Sequence, residues 1–487
     1  MTATAYRPGK IITLKQAPPS RSAPTDSGVA FMVGLTSQGP VNRPQLLHNM
    51  NEWLTYFGVR TALGAALYDS AETYFREGGN QLYVMRVVGP NPVTATLILK
   101  DTAAANAVTL SAENPGAWGL ALKIQVIAGV APSSSKIQVW DTTGTILLDQ
   151  SPDLLTHADA VNWSTTSLYV NIVDLGTGLP QLGVLAQTAL TGSATGDEAN
   201  AVDAQYLNAL NFIDSSYGPG QVMIPGRTTD PAHTQLIAHA AAMNRVALLD
   251  IADSSTTSSL LTSAATITAL GTGKYGAAFA PWITIPGLTP NTIRTIPPSG
   301  FVAALMARND QSNSPAVPAA GNNGQAQFVL GVTNVYTDAN RDILNTGCVN
   351  VIRAMLGGVR LYGYRSLADP VGDPYNVQFN QSRLLMEIVA QIGIIMENHL
   401  FRLMDGRGLE FSALAGDISA LLIGYFNDNS LYGDVPTDAY SIDTSSNVNT
   451  PTTIQNGELH AQVGLRMSPF AELVYVDIIK IPVTQSL

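Results

Sequence analysis

Four stretches of this chain carry residue types that could do chemistry, and each lacks a part that the chemistry requires. Gly271-Thr272-Gly273-Lys274 offers a glycine turn and a lysine suited to a phosphate, but the first glycine of a phosphate loop is missing and position 275 is Tyr. Asp338-Ala339-Asn340-Arg341-Asp342 begins like a calcium loop, yet Ile343 stands where the turn needs glycine and Val349 where the closing glutamate belongs. Among the six histidines (His48, His157, His233, His239, His399, His460), His233 and His239 lie six apart and so on different faces of a helix, which is no metal spacing. Asp369 and Asp373 flank Pro370-Val371-Gly372 as a carboxylate pair or, on the chemistry of Asp-Pro steps, as an ordinary turn. An enzyme would have to use Asp250, Asp253 and Asp369 at strand ends in the manner of an α/β hydrolase, but no G-x-S-x-G, H-E-x-x-H or C-x-x-C occurs and Cys348 is the only cysteine. No cofactor or metal is expected.

The elements that would carry such residues alternate. Val29–Gly34 reads as a strand, 62–77 as a helix with Leu63, Ala66, Leu67, Ala71, Tyr74 and Phe75 on one face, and 81–88 as the next strand. The same texture returns at 222–225 (strand), 230–243 (helix opened by Thr229, Asp230 and Pro231), 246–251 (strand), 260–270 (helix) and 277–285 (strand). This predicts a sheet with helices on its faces, running across residues 29–90 and 211–345. Between them, 91–210 is Thr/Ala/Gly/Val-rich, with short strands and three basic residues against ten acidic ones, and is expected to be a mainly β domain with a solvated acidic surface. Residues 346–487 are expected to form an α+β domain with a strand at 359–364, helices near 381–401 and 409–426, and a terminal strand ladder. The fold class is therefore multidomain, α+β / α/β.

The two ends are written for pairing. From Glu458 to Met467, Leu459, Ala461, Val463, Leu465 and Met467 alternate with polar positions, as in a half-buried strand. From Glu472 to Ile481, Leu473, Val474, Tyr475, Val476, Ile478 and Ile479 make a run that is apolar on both faces and needs neighbours on every side. At the other end, Ile11, Ile12, Thr13 and Leu14 are β-prone, and Pro18, Pro19, Ser20 and Pro24 make the stretch up to residue 28 an extended linker. Strands shared between subunits are expected, with the linker as hinge.

Composition agrees with assembly. Charged residues make up 13% of 487, about half the usual ~25%, which fits either a surface largely covered in an assembly or one whose polarity comes from Ser, Thr and Asn instead. A net charge of −11 argues against direct nucleic-acid binding. The start of the sequence shows no secretory h-region, and the apolar runs 388–396 and 418–426 are too short to span a bilayer, so no membrane insertion and a cytoplasmic site of assembly are expected.

Short motifs in order along the chain resemble those of the tail sheath family of contractile phage tails and related injection systems. They are Tyr6-Arg7-Pro8-Gly9-Lys10-Ile11; Val33-Gly34 with Gln38-Gly39-Pro40, Trp53 and Phe57-Gly58; Gly78-Gly79 before Tyr83–Val87; Pro115–Gly119; Tyr275–Pro281 with Trp282; Pro297-Pro298-Ser299-Gly300 followed by Ala303, Ala307 and Arg308; Ile343-Leu344-Asn345 through Ile352-Arg353; and Gly363 with Arg365. Tyr362, Tyr364 and Thr346 depart from the family pattern, and 396–399 lacks its usual proline.

The resemblance implies a non-enzymatic subunit that polymerises helically, in hexameric rings, around an inner tail tube and contracts to drive that tube through a target envelope, as in viral genome ejection. It implies 91–210 as an inserted outer domain, an inner C-terminal domain, and a virion tail or injection particle as the location. Baseplate and terminator or cap proteins are the further partners. Pro281, Trp282 and Pro297–Gly300 are read as architectural. Glu410 and Asp417 are candidates for the tube-facing surface, although core packing is the stronger expectation for the apolar residues of that helix. Arg86, Arg308, Arg353 and Arg365 could pair across subunits or internally. Another self-assembling lattice or capsid protein would share the same logic.

Overall fold

The computed structural model describes residues 26–476; the expectations for Ile11, Ile12, Thr13 and Leu14, for Pro18, Pro19, Ser20 and Pro24, and for Ile478 and Ile479 lie outside the described residues. Strand β1 (Ala30–Leu35) is apolar throughout because both its faces are covered: Ala30 and Met32 enter one core, Phe31 and Val33 the other. Seven more strands complete its sheet: β2 (Gln45–Leu47), β3 (Leu82–Val87), β4 (Gln221–Met223), β5 (Val246–Asp250), β6 (Gly276–Ala280), β7 (Val349–Met355) and β8 (Gly358–Leu361). Their order is β8-β7-β6-β5-β4-β1-β3-β2. The six central strands run parallel, and β8 and β2 close the edges antiparallel. The mixed α/β fold expected from the alternating texture is therefore present.

Helices α1 (Ala65–Arg76) and α3 (Ser299–Ser312) cover one face, while α2 (Asp230–Ala242), residues 257–268 and α4 (Asp338–Thr346) cover the other. Helix α3 is the most enclosed helix among the described residues, buried from Ser299 to Ala307. A side chain at Gly300 would sit 2.7 Å from the Ser70 carbonyl oxygen of α1, so this glycine sets how closely the two helices approach.

The chain leaves the sheet after β3 and re-enters it at β4. In the interval, residues 95–194 close a core of their own between a three-stranded and a four-stranded antiparallel sheet, with Leu110, Ile124, Val126, Ile137 and Val139 inside. After β8, helices α5 (Phe379–Glu397) and α6 (Leu409–Asn427) form a hairpin against the two-stranded sheet of β9 (Tyr440–Asp443) and β10 (Gln462–Leu465).

Several expectations are corrected. The boundary at 345 does not hold, because β7 and β8 belong to the large sheet, with β7 carrying the β-branched residues Val349, Val351 and Ile352 up to the turn at Gly357-Gly358. The strand expected over 277–285 is two strands, interrupted at the cis Ala280–Pro281 bond, and 283–286 leaves for a different, three-stranded sheet. The terminal ladder is shorter than expected. Leu459, Val463, Leu465 and Met467 face the hairpin core, but Ala461 is exposed, and only residues 462–465 pair as a strand. Leu473, Val474, Tyr475 and Val476 form no strand within the chain and stand in solvent, Tyr475 at 85% exposure.

Candidate assembly surfaces

The residues with chemical potential are consumed by architecture. Asp250, at the carboxyl end of β5, is buried and accepts from the Ser299 backbone N–H (2.8 Å), the Ser299 hydroxyl (2.7 Å) and the Gly226 N–H (3.0 Å). It thereby caps the amino end of α3. Burial pushes its carboxyl up to about 6 against the pull of those hydrogen bonds. The motif Pro297-Pro298-Ser299-Gly300 has an architectural role: two prolines set the approach, Ser299 ties α3 to the sheet and Gly300 lets α1 in, while the nearby His233 ring is held by the Arg227 and Asp250 carbonyls at 3.1 Å each. Pro281 opens the turn in which the Trp282 indole N–H donates to the Ile251 carbonyl at 2.9 Å. Asp253 accepts from Thr333 and Asn334 side chains, and Asp369 from the Val371 N–H in the turn that runs to Asp373. Gly273-Lys274-Tyr275 is a 3-10 turn with Lys274 over the Tyr275 ring, and 338–346 is a helix capped by Thr337. Among the described residues no group of three or more His, Cys, Asp or Glu side chains could hold a metal ion.

Three of the four arginines named above pair internally. Arg86 reaches Glu198 (3.3 Å) and the carbonyls of Thr36 and Gly39, joining the sheet to the segment that returns from residues 95–194. Arg308 bonds Glu77, whose carboxylate also accepts three successive N–H groups from Gln327 to Val329. Arg365 grips Glu472 with a two-nitrogen fork at 3.0 Å and 2.5 Å. Gln378 and Phe470 exchange two further hydrogen bonds, so the chain is pinned at 470–472 and bare from Leu473 to Val476.

The amino-terminal root is pinned as well. The Ser27 hydroxyl donates to Asp310 at 2.8 Å, and Asp310 forms a buried ion pair with Arg383 of α5 at 2.6 Å. One turn further along α5, Glu387 accepts from the Tyr425 hydroxyl of α6 at 3.0 Å, and burial raises its carboxyl to about 7. This chain of contacts runs from residue 27 through α3 and α5 to α6. Sequence reading missed it, although Arg383 and Glu387, charged residues one turn apart on either side of Leu384, Leu385 and Met386, were the available signal.

The hairpin itself overturns one expectation. Of the nineteen residues in α6, only Leu414, Ile418 and Leu422 are buried, so core packing does not explain the rest of its apolar surface. Val389, Ile394 and Met396 of α5, Phe401 and Leu403 of the connection, and Leu409 and Ile423 of α6 are exposed, Phe401 fully. Leu409–Asn427 is also long and apolar enough to cross a membrane, which counting uninterrupted apolar runs had concealed. Glu410 and Asp417 are not free: the two ring nitrogens of buried His399 lie 2.6 Å from Glu410 and 3.1 Å from Asp417, clamping α6 to the end of α5.

No family model matches the chain, and none of the curated proteins matches it. Solved structures do, and every one named here is a sheath. The sheath tail protein Lin1278 of Listeria innocua superposes with a TM-score of 0.61 at 14% identity, covering 91% of this chain and 95% of its own. The sheath of an extracellular contractile injection system, in the PVC sheath complex in its contracted state, gives 0.57 at 15% identity over 98% of both chains. The contracted helical sheath of the anti-feeding prophage gives 0.55 at 15% identity, covering 98% of this chain and 99% of that one. The fold is that of the contractile tail sheath proteins.

Proposed function

We propose that this chain is the structural, non-enzymatic subunit of a contractile tail sheath, polymerising helically around an inner tube and shortening to drive that tube through a target envelope. The observation that carries this reading is the distribution of bare apolar surface. On a chain with a sheath fold, Leu473–Val476 and the α5–α6 hairpin are left uncovered while the sheet is closed on both faces. The 473–476 run and residues 11–14 act as exchanged strands that add to the Tyr440–Asp443 and Gln462–Leu465 sheet of neighbouring copies, with Pro18, Pro19, Ser20 and Pro24 as the hinge. Residues 91–210 form the inserted outer domain, and the hairpin faces the tube. Its exposed apolar residues, rather than Glu410 and Asp417, make that contact. Baseplate and cap proteins are the further partners, and the subunit sits in a virion tail or injection particle assembled in the bacterial cytoplasm. No nucleotide is required, because new contacts between subunit bodies supply the energy.

Negative-stain electron microscopy of the purified chain at high concentration tests the proposal. Hollow striated tubes of uniform diameter support it, whereas flat sheets or closed shells favour a different lattice protein. Deleting residues 1–15 is expected to leave a folded monomer that no longer forms tubes, and normal tubes from that truncation would sink strand exchange.

A further inference from the structure

Of the four arginines that could pair between subunits, Arg353 alone keeps its guanidinium without an ion pair or hydrogen bond among the described residues. It stacks on the Tyr362 ring at 4.6 Å, which holds the planar fork in one orientation while leaving its N–H edges unused. The fork lies in an open groove of about 600 Å³, floored by Val349 and Val351 of β7 and walled by α4 and by the pinned segment ending at Leu473. The other charges of the groove are accounted for. Arg341 pairs with Asp338 and Glu472 with Arg365, and exposed Asp342 stands at the rim. Directly opposite Arg353 on β8, Arg360 is turned to Asn322 and Gln325, so a like charge faces Arg353 across the hairpin and none of opposite sign neutralises it.

We infer that this groove receives a carboxylate-bearing apolar segment from a second copy of this chain, with Arg353 as the fork that grips the carboxylate. Two observations select a second copy as the occupant. The groove opens at Leu473 onto the bare run 473–476, so a copy that pairs with that run is brought to the mouth of the groove that holds Arg353. The chain carries 36 acidic against 25 basic residues, so a copy brings carboxylates in surplus. A carboxylate seated on a stacked guanidinium, partly shielded from water, gains a two-point hydrogen bond that lysine cannot reproduce. The inference rests on the assembling-subunit reading and adds a named contact to it.

The test measures the critical concentration for self-association of the full chain by sedimentation velocity, with electron microscopy of the product, for the native chain, R353E and R353K. Near-UV circular dichroism and melting of the dilute monomers check folding, which R353E should leave intact because Arg353 has no internal polar partner. The expected result is a critical concentration at least tenfold higher for R353E, an intermediate shift for R353K, and a native assembly that weakens as salt rises. If R353E assembles at the native concentration, the inference is overturned while native tubes uphold the sheath reading. If the native chain assembles into something other than tubes and R353E does not, the groove contact stands and the tubular reading falls. A native chain that never self-associates overturns both.

Discussion

The large sheet and the α5–α6 hairpin are joined through the buried Asp310–Arg383 ion pair and through Phe379 and Met386 of α5, yet they are built on opposite terms. In the sheet, every apolar face is covered by the chain's own helices, and arginines such as Arg86 and Arg308 find their partners at home. In the hairpin, three residues of a nineteen-residue helix are buried, and a phenylalanine stands wholly in solvent. A domain that keeps so much apolar surface bare gives up stability that it could have gained from burial, at about 25 cal/mol per Å². What the difference teaches is that the sheet is complete within one chain, whereas the hairpin keeps apolar surface that its own chain does not cover, as the proposed assembly requires.

The largest effects should come from breaking the complete half. Phe301→Ala empties a fully enclosed position in α3 and should cost about 3–5 kcal/mol in a denaturant titration, with folding and assembly lost together. Asp310→Ala, at the seam, strands the Arg383 guanidinium in a buried site and should cost about 3–5 kcal/mol. If either variant melts like the native chain, the claim of a self-sufficient core fails.

The seam offers a pH test. Burial raises Glu387 from its ordinary 4.5 to about 7, so the native state binds its proton more tightly than the unfolded chain does. Its stabilising contribution is therefore complete below about 4.5 and lost as pH rises through about 7, a change of up to about 3 kcal/mol. Glu387→Gln, which keeps an acceptor for Tyr425, should flatten that decline, so that at pH 8 the variant is at least as stable as the native protein. An unchanged slope between pH 4.5 and 7 would remove Glu387 as its source.

The smallest effect on folding should come from the incomplete half. Replacing Phe401 and Leu403 together by serine should change monomer stability by less than about 0.5 kcal/mol, because both side chains already stand in water. Co-sedimentation with the inner tube protein should nevertheless fall. A double variant that destabilises the monomer instead would mean that the hairpin tip packs against its own chain.

What could be read from the sequence follows the same division. β1, β3 and β5 declare themselves because a strand covered on both faces is a continuous apolar run, and α2 because Thr229, Asp230 and Pro231 mark its start. The Pro297–Gly300 motif was legible as architecture, although its partner Asp250 was not, since forty-nine residues separate the two. Helix α6 was placed almost to the residue and then misjudged, because a regular apolar face looks the same whether its cover comes from this chain or from another. His399 was set aside for want of metal spacing; its link to Glu410 exists only once the hairpin closes. Arg353 could not be told from Arg86 or Arg365 until their internal carboxylates were located.

The place of β1 in the sheet also decides how the subunit would bear a pull. Tension entering at residue 27 runs along a strand flanked on both sides by parallel neighbours, β4 and β3, so their hydrogen bonds are loaded in shear and share the force at once. Tension on the other end reaches Arg365 and Glu472 first, and behind them a two-stranded hairpin whose bonds can be peeled one after another. If copies are joined through their two ends as proposed, each is a mechanically polar link, stiff at its amino-terminal side and yielding at its carboxyl-terminal side, and a chain of such links stretched to rupture would part at the carboxyl-terminal joint.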